Sequence, residues 1–470
     1  MTVIDEILVS VSPGEIRVAS LSAGGLIDID IERGTEAALG AIHRGRVVHV
    51  DAALNAAFVD IGRARPGFLP AEAARHLAQP VAAPGTPIAR LVSEGASILV
   101  QPIRPEVGDK GVGLTSDVAI PGALGVLMPR SPEIAVSRRI QQRAERKRLK
   151  AAVAAATGGL GAIVRSAASG VAADRLVLEF GQLMRVWRTV AANIVVAPAL
   201  LLRPPGAALR AAIEGPVPVR IWIDDRTAAR HLTEDIALWR PELAGAIAIH
   251  DAAEPLFARH DTDAQIDAAL APTVALPGGG NIVIESTAAL TAIDVNSGDS
   301  TGSAADIDRI AATEIARQIR LRAIGGIVVI DFPRLDDRDQ RERLIESLRA
   351  AVSGDRVPVQ IMGWTRAGLV ELTRTRARAS LAATMLDDRP GRQLGAAAAA
   401  HAALRATLSS ARRRPAGHYR LLAARAVCAY LSGEGRAAFD EASRRLGGAL
   451  VFEAESARAN EDFEIVTGGS

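Results

Sequence analysis

Residues 290–302 read LTAIDVNSGDSTG, and residues 325–335 read GGIVVIDFPRL. Both stretches begin as apolar strands, and each strand ends at an aspartate, Asp294 in the first and Asp331 in the second. The segment between them has apolar residues at helical spacing and runs into Gly325–Gly326, which predicts a helix that stops at these glycines. Strand, helix and strand in this order predict a right-handed crossover between parallel strands. We therefore expect both aspartates at the carboxyl edge of a sheet, where open α/β sheets bind ligands.

Two converging carboxylates need a partner, because their mutual repulsion and desolvation would cost several kcal/mol. Mg²⁺ fits this role, since it takes one or two carboxylates and keeps waters or phosphate oxygens as its other ligands. Asn296, two residues after Asp294, is placed to hydrogen-bond a carboxylate or a phosphate. The alternative is structural: each aspartate caps the helix or turn that follows its strand.

Composition predicts a globular protein of two to four domains. The 470 residues are 49% apolar and 23% charged, and the formal net charge is +2. Three of the 55 basic residues are lysine, which leaves 52 arginines; this is either codon bias or a preference for phosphate contacts. The single Cys428 excludes an internal disulfide and a cysteine-based zinc site. We find no signal peptide and no apolar run long enough to span a membrane, so a cytoplasmic location is expected.

Changes of pattern along the chain predict seven segments. Short alternating strands come first, followed by a small all-β barrel and a mixed segment with a basic helix. A second mixed α/β segment precedes the parallel α/β units that contain Asp294 and Asp331. A linker and a small α/β unit complete the chain. The expected boundaries are 1–35, 36–118, 119–210, 211–271, 272–385, 386–400 and 401–470.

Two aromatic residues stand out in the predicted barrel, because only 3% of the chain is aromatic. Phe58 and Phe68 either stack nucleobases on the barrel surface or, for Phe58, fill the barrel core. Six basic residues nearby are expected to follow a nucleic-acid backbone: His43, Arg44, Arg46, Arg63, Arg65 and Lys110.

A basic run occupies residues 138–150, within a helix predicted over residues 137–156. It is either a solvated helix face or a phosphate-binding face. The glycine-rich PGGGN at residues 277–281 lacks the Lys-Ser/Thr of a nucleotide P-loop.

Several blocks of the sequence resemble the bacterial ribonuclease E/G family over nearly the whole chain. GRVVHVDAALNAAFVDIGRARPGFLP is similar to the family's RNA-binding barrel, and KGVGLTSDVAIPGALGVLMPRSPEIAVSRRI and GAIVRSAASG resemble its 5′-end sensor. LTAIDVNSG, EIARQIRLRAIGGIVVIDF and GLVELTRTRARASL resemble its catalytic core. The resemblance implies a multidomain α/β and α+β protein. A ribonuclease-H-like domain would be split around an OB-fold barrel and the sensor, and a deoxyribonuclease-I-like catalytic domain and a small C-terminal domain would follow.

The function implied by the resemblance is endonucleolytic cleavage of single-stranded RNA, such as rRNA precursors and mRNA, to 5′-phosphate and 3′-hydroxyl products. Asp294 and Asp331 match the family's Mg²⁺ ligands, and Asn296 matches the asparagine that orients the site. The resemblance also implies RNA-binding residues (Phe58, Phe68, Lys110, Arg138, Arg139) and a pair that senses a 5′-monophosphate (Arg165, Ser166).

Three departures from the family pattern leave an alternative open. The family's zinc-link cysteines are absent, so zinc is not expected and any homodimer must rest on other contacts. The crossover between the aspartates is shorter than usual, and DFPRL places Arg334 at a second acidic position, with Asp339 where a histidine is usual. The alternative is a catalytically weakened RNA-binding member of the family. An unrelated enzyme of small phosphorylated substrates is a third interpretation.

Overall fold

The structure is a computed structural model, and it describes the backbone of most of the chain. Two compact units divide the chain: Met1–Gly34, Ala207–Asp235 and Glu242–Ser470 form one, and Thr35–Gly206 and Ile236–Pro241 form the other. The domain boundaries predicted from the sequence divide these units further and stay predictions. The described residues are 4–34, 39–106, 111–215, 217–298, 304–333, 335, 337–387, 393–413, 418–448 and 450–468, with the side chains of 304–306 excepted.

The first three strands form an antiparallel meander, as the alternating pattern of residues 1–35 predicts. Apolar side chains such as Leu8, Leu21 and Ile29 lie in its buried core. The strands are β1 Glu6–Ser12, β2 Glu15–Ser22 and β3 Gly25–Arg33.

A closed five-stranded barrel comes next and confirms the predicted small β-barrel. The strands pair in the order β4-β5-β6-β8-β7, and β7 returns to β4 to close the sheet, which is consistent with an OB-fold. Val59, Leu69 and Leu114 are fully buried inside it. Its elements are β4 Ile42–Asp51, β5 Ala56–Asp60, β6 Gly67–Pro70, α1 Ala71–Ala74, β7 Ser97–Arg104 and β8 Gly113–Thr115.

The remainder of this unit is a four-stranded sheet with two helices, plus a strand that pairs with β4. Its elements are β9 Ile120–Pro121, β10 Gly125–Met128, β11 Ile134–Val136, α2 Arg143–Thr157, β12 Gly161–Val164, α3 Ala173–Ala192 and β13 Ala199–Leu202. The helix predicted over residues 137–156 begins only at Arg143. Ile140 is buried, and the Arg146 side chain bonds the carbonyls of Ser137 and Ile140, which holds this stretch out of the helix. Arg138 and Arg139 therefore precede α2 instead of lying on it.

Two later strands extend the first meander into a mixed sheet of order β3-β2-β1-β14-β15. β1, β14 and β15 are parallel to one another. This part of the chain contains α4 Ala207–Glu214, β14 Arg220–Ile223, α5 Arg226–Trp239, β15 Ile247–Ile249 and α6 Thr262–Leu270.

The sheet that carries the two aspartates has the order β16-β17-β18-β19-β21-β20. Only β18 and β19 are parallel, so the expected run of parallel units is wrong beyond this pair. The reason is the β20–β21 hairpin, which inserts β21 antiparallel beside β19 and moves β20 to the edge. Its elements are β16 Thr273–Ala275, β17 Asn281–Ser286, β18 Leu290–Asn296, α7 Ala304–Leu321, β19 Gly326–Asp331, α8 Arg338–Val352, β20 Val359–Trp364, β21 Val370–Arg374 and α9 Leu381–Met385.

The crossover helix α7 is present as predicted, but it ends before the glycines. Ala323 adopts a left-handed conformation with φ 50°, and the Ile324 amide bonds the carbonyl of Ile319. Gly325 lies against Arg376, where a Cβ would approach the Arg376 side chain within 2.7 Å. The glycine is needed for this close packing, whereas Ala323 makes the turn.

The last part of the chain is a small α/β unit with the sheet order β23-β22-β24. Its first helix begins at Ala396, inside the predicted linker 386–400. Cys428 is buried in a helix, as predicted. The elements are α10 Ala396–Arg413, β22 His418–Ala424, α11 Arg425–Ser432, α12 Arg436–Arg445, β23 Leu450–Glu455 and β24 Glu464–Gly468. Within the described ranges, no helix combines the length and apolar character needed to cross a membrane.

Candidate active site and nucleic-acid interface

Asp294 and Asp331 lie directly opposite each other on the parallel neighbours β18 and β19. Adjacent strands run about 4.8 Å apart, so the two carboxylates project from neighbouring positions on one face of the sheet. Both residues are exposed, whereas Ile293 and Ile330, which precede them, are buried on the opposite face among α7 and α8. The alternation of the two strands thus buries one face in the core and leaves the aspartates on the open face.

Asn296 completes a polar group with Asp294. Its Nδ2 donates to Asp294 Oδ2 at 2.8 Å and lies 3.4 Å from Asn281 Oδ1. Asn281 is a site neighbour that the sequence reasoning missed, because PGGGN was considered only as a phosphate loop. The available signal was its place at the start of β17, which pairs antiparallel with β18 and sets Asn281 opposite Asn296.

The glycine-rich turn before Asn281 is needed for close backbone approach. Gly280 has φ +82°, and a Cβ there would lie 2.4 Å from the carbonyl oxygen of Asn296 and 2.9 Å from that of Ser297. A side chain at this position would displace the end of β18. The turn therefore supports the position of Asn296.

The alternative that Asp331 caps the next helix, α8, is wrong. Asp337 caps α8 instead, and its side chain accepts a hydrogen bond from the Asp339 amide. Neither Asp294 nor Asp331 forms a salt bridge to another residue in the described part of the chain. Arg334 lies outside the described residues.

The donor set fits a hard cation with few protein ligands. Two adjacent carboxylates face solvent beside an amide, and the described residues contain no group of three or more His, Cys, Asp or Glu side chains arranged to hold a metal ion. A metal held by two carboxylates keeps most of its coordination sphere for water and phosphate oxygens, which is the habit of Mg²⁺.

A row of three rings crosses the outer face of the barrel. Phe58 pairs with Phe68 on the neighbouring strand, with ring centroids 5.8 Å apart, and His49 stacks on Phe58 at 6.2 Å. All three are partly or fully exposed, whereas the flanking Ala57 and Val59 belong to the barrel core. The core interpretation of Phe58 is therefore wrong. His49 was missed in the sequence because its role depends on cross-strand pairing.

The basic residues expected around these rings are mostly engaged elsewhere. His43 is buried, and burial together with the neighbouring Arg63 lowers its pKa. Arg44 and Arg46 bond the backbone carbonyls of Asn193 and Ala197. Arg63 pairs with Glu106 at 2.7 Å. Lys110 lies outside the described residues.

Arg165 and Ser166 follow the strand β12. Arg165 is half-buried and its amide bonds the carbonyl of Leu124, while Ser166 is exposed at the start of a single 3₁₀ turn. Glu179 lies beneath this region and its Oε1 accepts from the Leu124 amide at 2.6 Å. Burial raises the pKa of Glu179, although Arg165 and Arg175 oppose the shift. Arg138 and Arg139 are exposed.

Comparisons with known proteins identify relatives of this chain. The family model of the ribonuclease E/G family matches residues 119–377. Ribonuclease G of Salmonella typhimurium (strain SL1344) is 34% identical over 412 residues, which are 82% of this chain and 82% of that protein. Ribonuclease G of Haemophilus influenzae is also 34% identical, over 408 residues.

The chain belongs to the ribonuclease E/G family. It is an endoribonuclease that acts in RNA processing. Ribonuclease E of Escherichia coli (strain K12) is 36% identical over 394 residues, which are 78% of this chain and 36% of that longer protein.

The single cysteine, Cys428, is buried in α11 within the core of the C-terminal unit, where burial raises its pKa.

Proposed function

We propose that this endoribonuclease cuts single-stranded RNA in a Mg²⁺-dependent reaction that leaves 5′-phosphate and 3′-hydroxyl ends. The observation that carries the proposal is the pairing of Asp294 with Asp331 on parallel strands, with Asn296 bonded to Asp294. The substrates proposed are rRNA precursors and mRNA. A cytoplasmic location and a homodimer without zinc stay predictions.

Each residue of the site has a chemical role in this proposal. Asp294 and Asp331 would hold Mg²⁺, which when bound supplies a Lewis acid for the phosphate and lowers the pKa of water. Asn296 fixes the Asp294 carboxylate through the 2.8 Å bond. Water attacks phosphorus in line, the bond from phosphorus to O3′ breaks, and O3′ takes up a proton. The phosphate stays on the 5′ side of the downstream product.

The domain assignments of the resemblance form part of the proposal. The order β3-β2-β1-β14-β15, with an antiparallel meander and two parallel strands, supports a ribonuclease-H-like domain. The sheet with Asp294 and Asp331 would be the deoxyribonuclease-I-like domain. The rings of Phe58 and Phe68 would stack bases, with Lys110, Arg138 and Arg139 on the RNA backbone.

The decisive experiment is cleavage of a short A/U-rich single-stranded RNA with and without Mg²⁺, by wild type and by Asp294→Asn. We expect Mg²⁺-dependent cutting by wild type alone, with phosphate at the new 5′ ends. Tight binding without cutting by wild type would favour the alternative, a weakened member of the family that holds RNA.

Sensing of a 5′-monophosphate by Arg165 and Ser166 is a separate part of the proposal. A guanidinium and a hydroxyl at the start of a 3₁₀ turn suit a terminal phosphate. Arg165→Lys should reduce the preference for 5′-monophosphorylated over 5′-hydroxyl RNA, and Ser166→Thr should keep it. Competition between the two RNAs in one cleavage reaction measures this preference, and an unchanged ratio in Arg165→Lys would remove the assignment.

A further inference from the structure

The basic residues of the run 138–150 that lie on α2 form two groups in the structure. Arg146 and Arg148 are bonded locally. The other group consists of three exposed residues, Arg143, Lys147 and Lys150. None of their side chains forms a hydrogen bond or an ion pair with another described residue. They lie at positions i, i+4 and i+7 of α2 and therefore share one face of the helix. We call this set the α2 stripe.

The one acid of the run is fully engaged. Glu145 accepts two hydrogen bonds from Arg148, both at 2.7 Å, and a third from the Gly170 amide at 2.9 Å. The bonds from Arg148 are the main reason that the pKa of Glu145 is lowered to about 2. Because the charge of Glu145 is paired with Arg148, it does not neutralise the positive charge of the α2 stripe.

The same ion pair fixes α2 against the loop that carries the proposed 5′-phosphate sensor. Arg148 Nη2 donates a hydrogen bond to the carbonyl of Val171 at 2.9 Å. The preceding residue, Gly170, donates its amide hydrogen bond to Glu145. This loop follows Arg165 and Ser166 directly. The α2 stripe thus belongs to a helix anchored to the loop that would receive the 5′ end of an RNA.

We propose that the α2 stripe is a track for the phosphodiester backbone of single-stranded RNA, through Arg143, Lys147 and Lys150. The inference rests on the proposed function, because it places the track on the helix anchored beside the proposed sensor. From Arg143 to Lys150 the track is about 10 Å long, since a helix rises about 1.5 Å per residue. Cations on a rigid helix attract phosphates without reading bases.

The other exposed residues of α2 favour RNA over an anionic membrane as the ligand of the α2 stripe. The exposed residues that continue it are small: Ala151, Ala154 and Ala155. Helices that lie on membranes insert large apolar or aromatic side chains, and the large apolar residues Leu149 and Val153 point into the core instead.

The test compares two pairs of substitutions in the full chain that carries Asp294→Asn, so that RNA is not cut. Lys147→Gln/Lys150→Gln removes two charges from the α2 stripe. Arg185→Gln/Arg188→Gln is the matched control, because both arginines are exposed on α3 of the same unit and neither guanidinium has a partner among the described residues. Binding of a short single-stranded RNA is measured as a function of salt.

We expect the slope of log K against log salt to become shallower by about 1.4 in the stripe variant, at about 0.7 per lost phosphate contact. The control should leave the slope of the parent unchanged. The loss should be equal for 5′-monophosphorylated and 5′-hydroxyl RNA, because a backbone track does not read the terminus.

Three outcomes would overturn the track. They are an unchanged slope in the stripe variant, a loss confined to 5′-monophosphorylated RNA, or a stripe-dependent binding to phosphatidylserine vesicles with RNA binding unaltered. Failure of the parent protein to bind RNA at all would instead overturn the proposed function, so the two failures are distinguishable.

Discussion

At the edge of the sheet that carries Asp294 and Asp331, and on the outer face of the barrel, cross-strand pairing brings functional groups of different chemistry together. In the first, register sets two carboxylates side by side, with no salt bridge to a described residue. In the second, register aligns the rings of His49, Phe58 and Phe68. Under the proposed function the carboxylates would repel phosphate until a cation is bound, whereas the rings would stack on bases of any sequence. Cutting and holding RNA should therefore be separable by mutation.

The largest effect is expected at the carboxylates. Asp294→Asn and Asp331→Asn should each lower the cleavage rate at saturating RNA by about 10³-fold, because charge stabilisation of the transition state is lost. The dissociation constant for RNA, measured by gel shift, should stay within a few-fold of wild type. If these variants also lost RNA binding, the acids would be structural and cleavage would not be separable from binding.

At the barrel the opposite separation is expected. Phe58→Ala should weaken RNA binding by about 5- to 150-fold, as stacking of a base contributes about 1–3 kcal/mol. The rate at saturating RNA should be preserved. Phe58→Tyr keeps the ring and serves as control. A loss of rate at saturation with unchanged affinity would place this ring in the chemistry instead.

A third carboxylate sharpens the contrast between exposed and buried acids. Asp308 of α7 is 2% exposed, neither oxygen has a hydrogen-bond partner among the described residues, and burial raises its pKa to about 6. Because the folded pKa lies above that of the unfolded chain, stability is lost as pH rises from about 4 to 6. Asp308→Asn should remove this loss and stabilise the unit by about 2–3 kcal/mol above pH 7.

The melting temperature of wild type and Asp308→Asn, compared at pH 5 and pH 8, checks this prediction. The gain should be larger at pH 8 than at pH 5. An equal change at both values would show that Asp308 does not titrate in this range.

The smallest effect is expected at Asn281. Asn281→Ala removes an acceptor 3.4 Å from Asn296, so the rate should fall by about 2- to 5-fold with little change in KM. Asn296→Ala should cost more, because it also removes the 2.8 Å bond to Asp294. Single-turnover cleavage by both variants measures the difference. Equal losses would mean that Asn296 acts only through Asn281.

Local pattern was enough for the features that depend on neighbours in the chain. Apolar runs predicted the strands that carry Asp294 and Asp331, the crossover helix and the small barrel, because burial of one face imposes a period on the sequence. The predicted strand end at Asp294 was wrong, since β18 continues to Asn296. Motif resemblance identified the family. The helix ends were predicted less accurately. Because Ile140 is buried, α2 begins later than predicted. Gly325 packs against Arg376 and does not form the turn that ends α7.

The amino-acid sequence was sufficient to predict two acids on neighbouring parallel strands and to identify the family of the chain. Tertiary structure alone decided which partners those residues have. Asn281 meets Asn296, and His49 meets Phe58, only through register between strands. The β20–β21 hairpin places β21 antiparallel beside β19, so the strands that follow the parallel pair are antiparallel. These contacts depend on pairing between distant segments, and no local periodicity records which strands become neighbours.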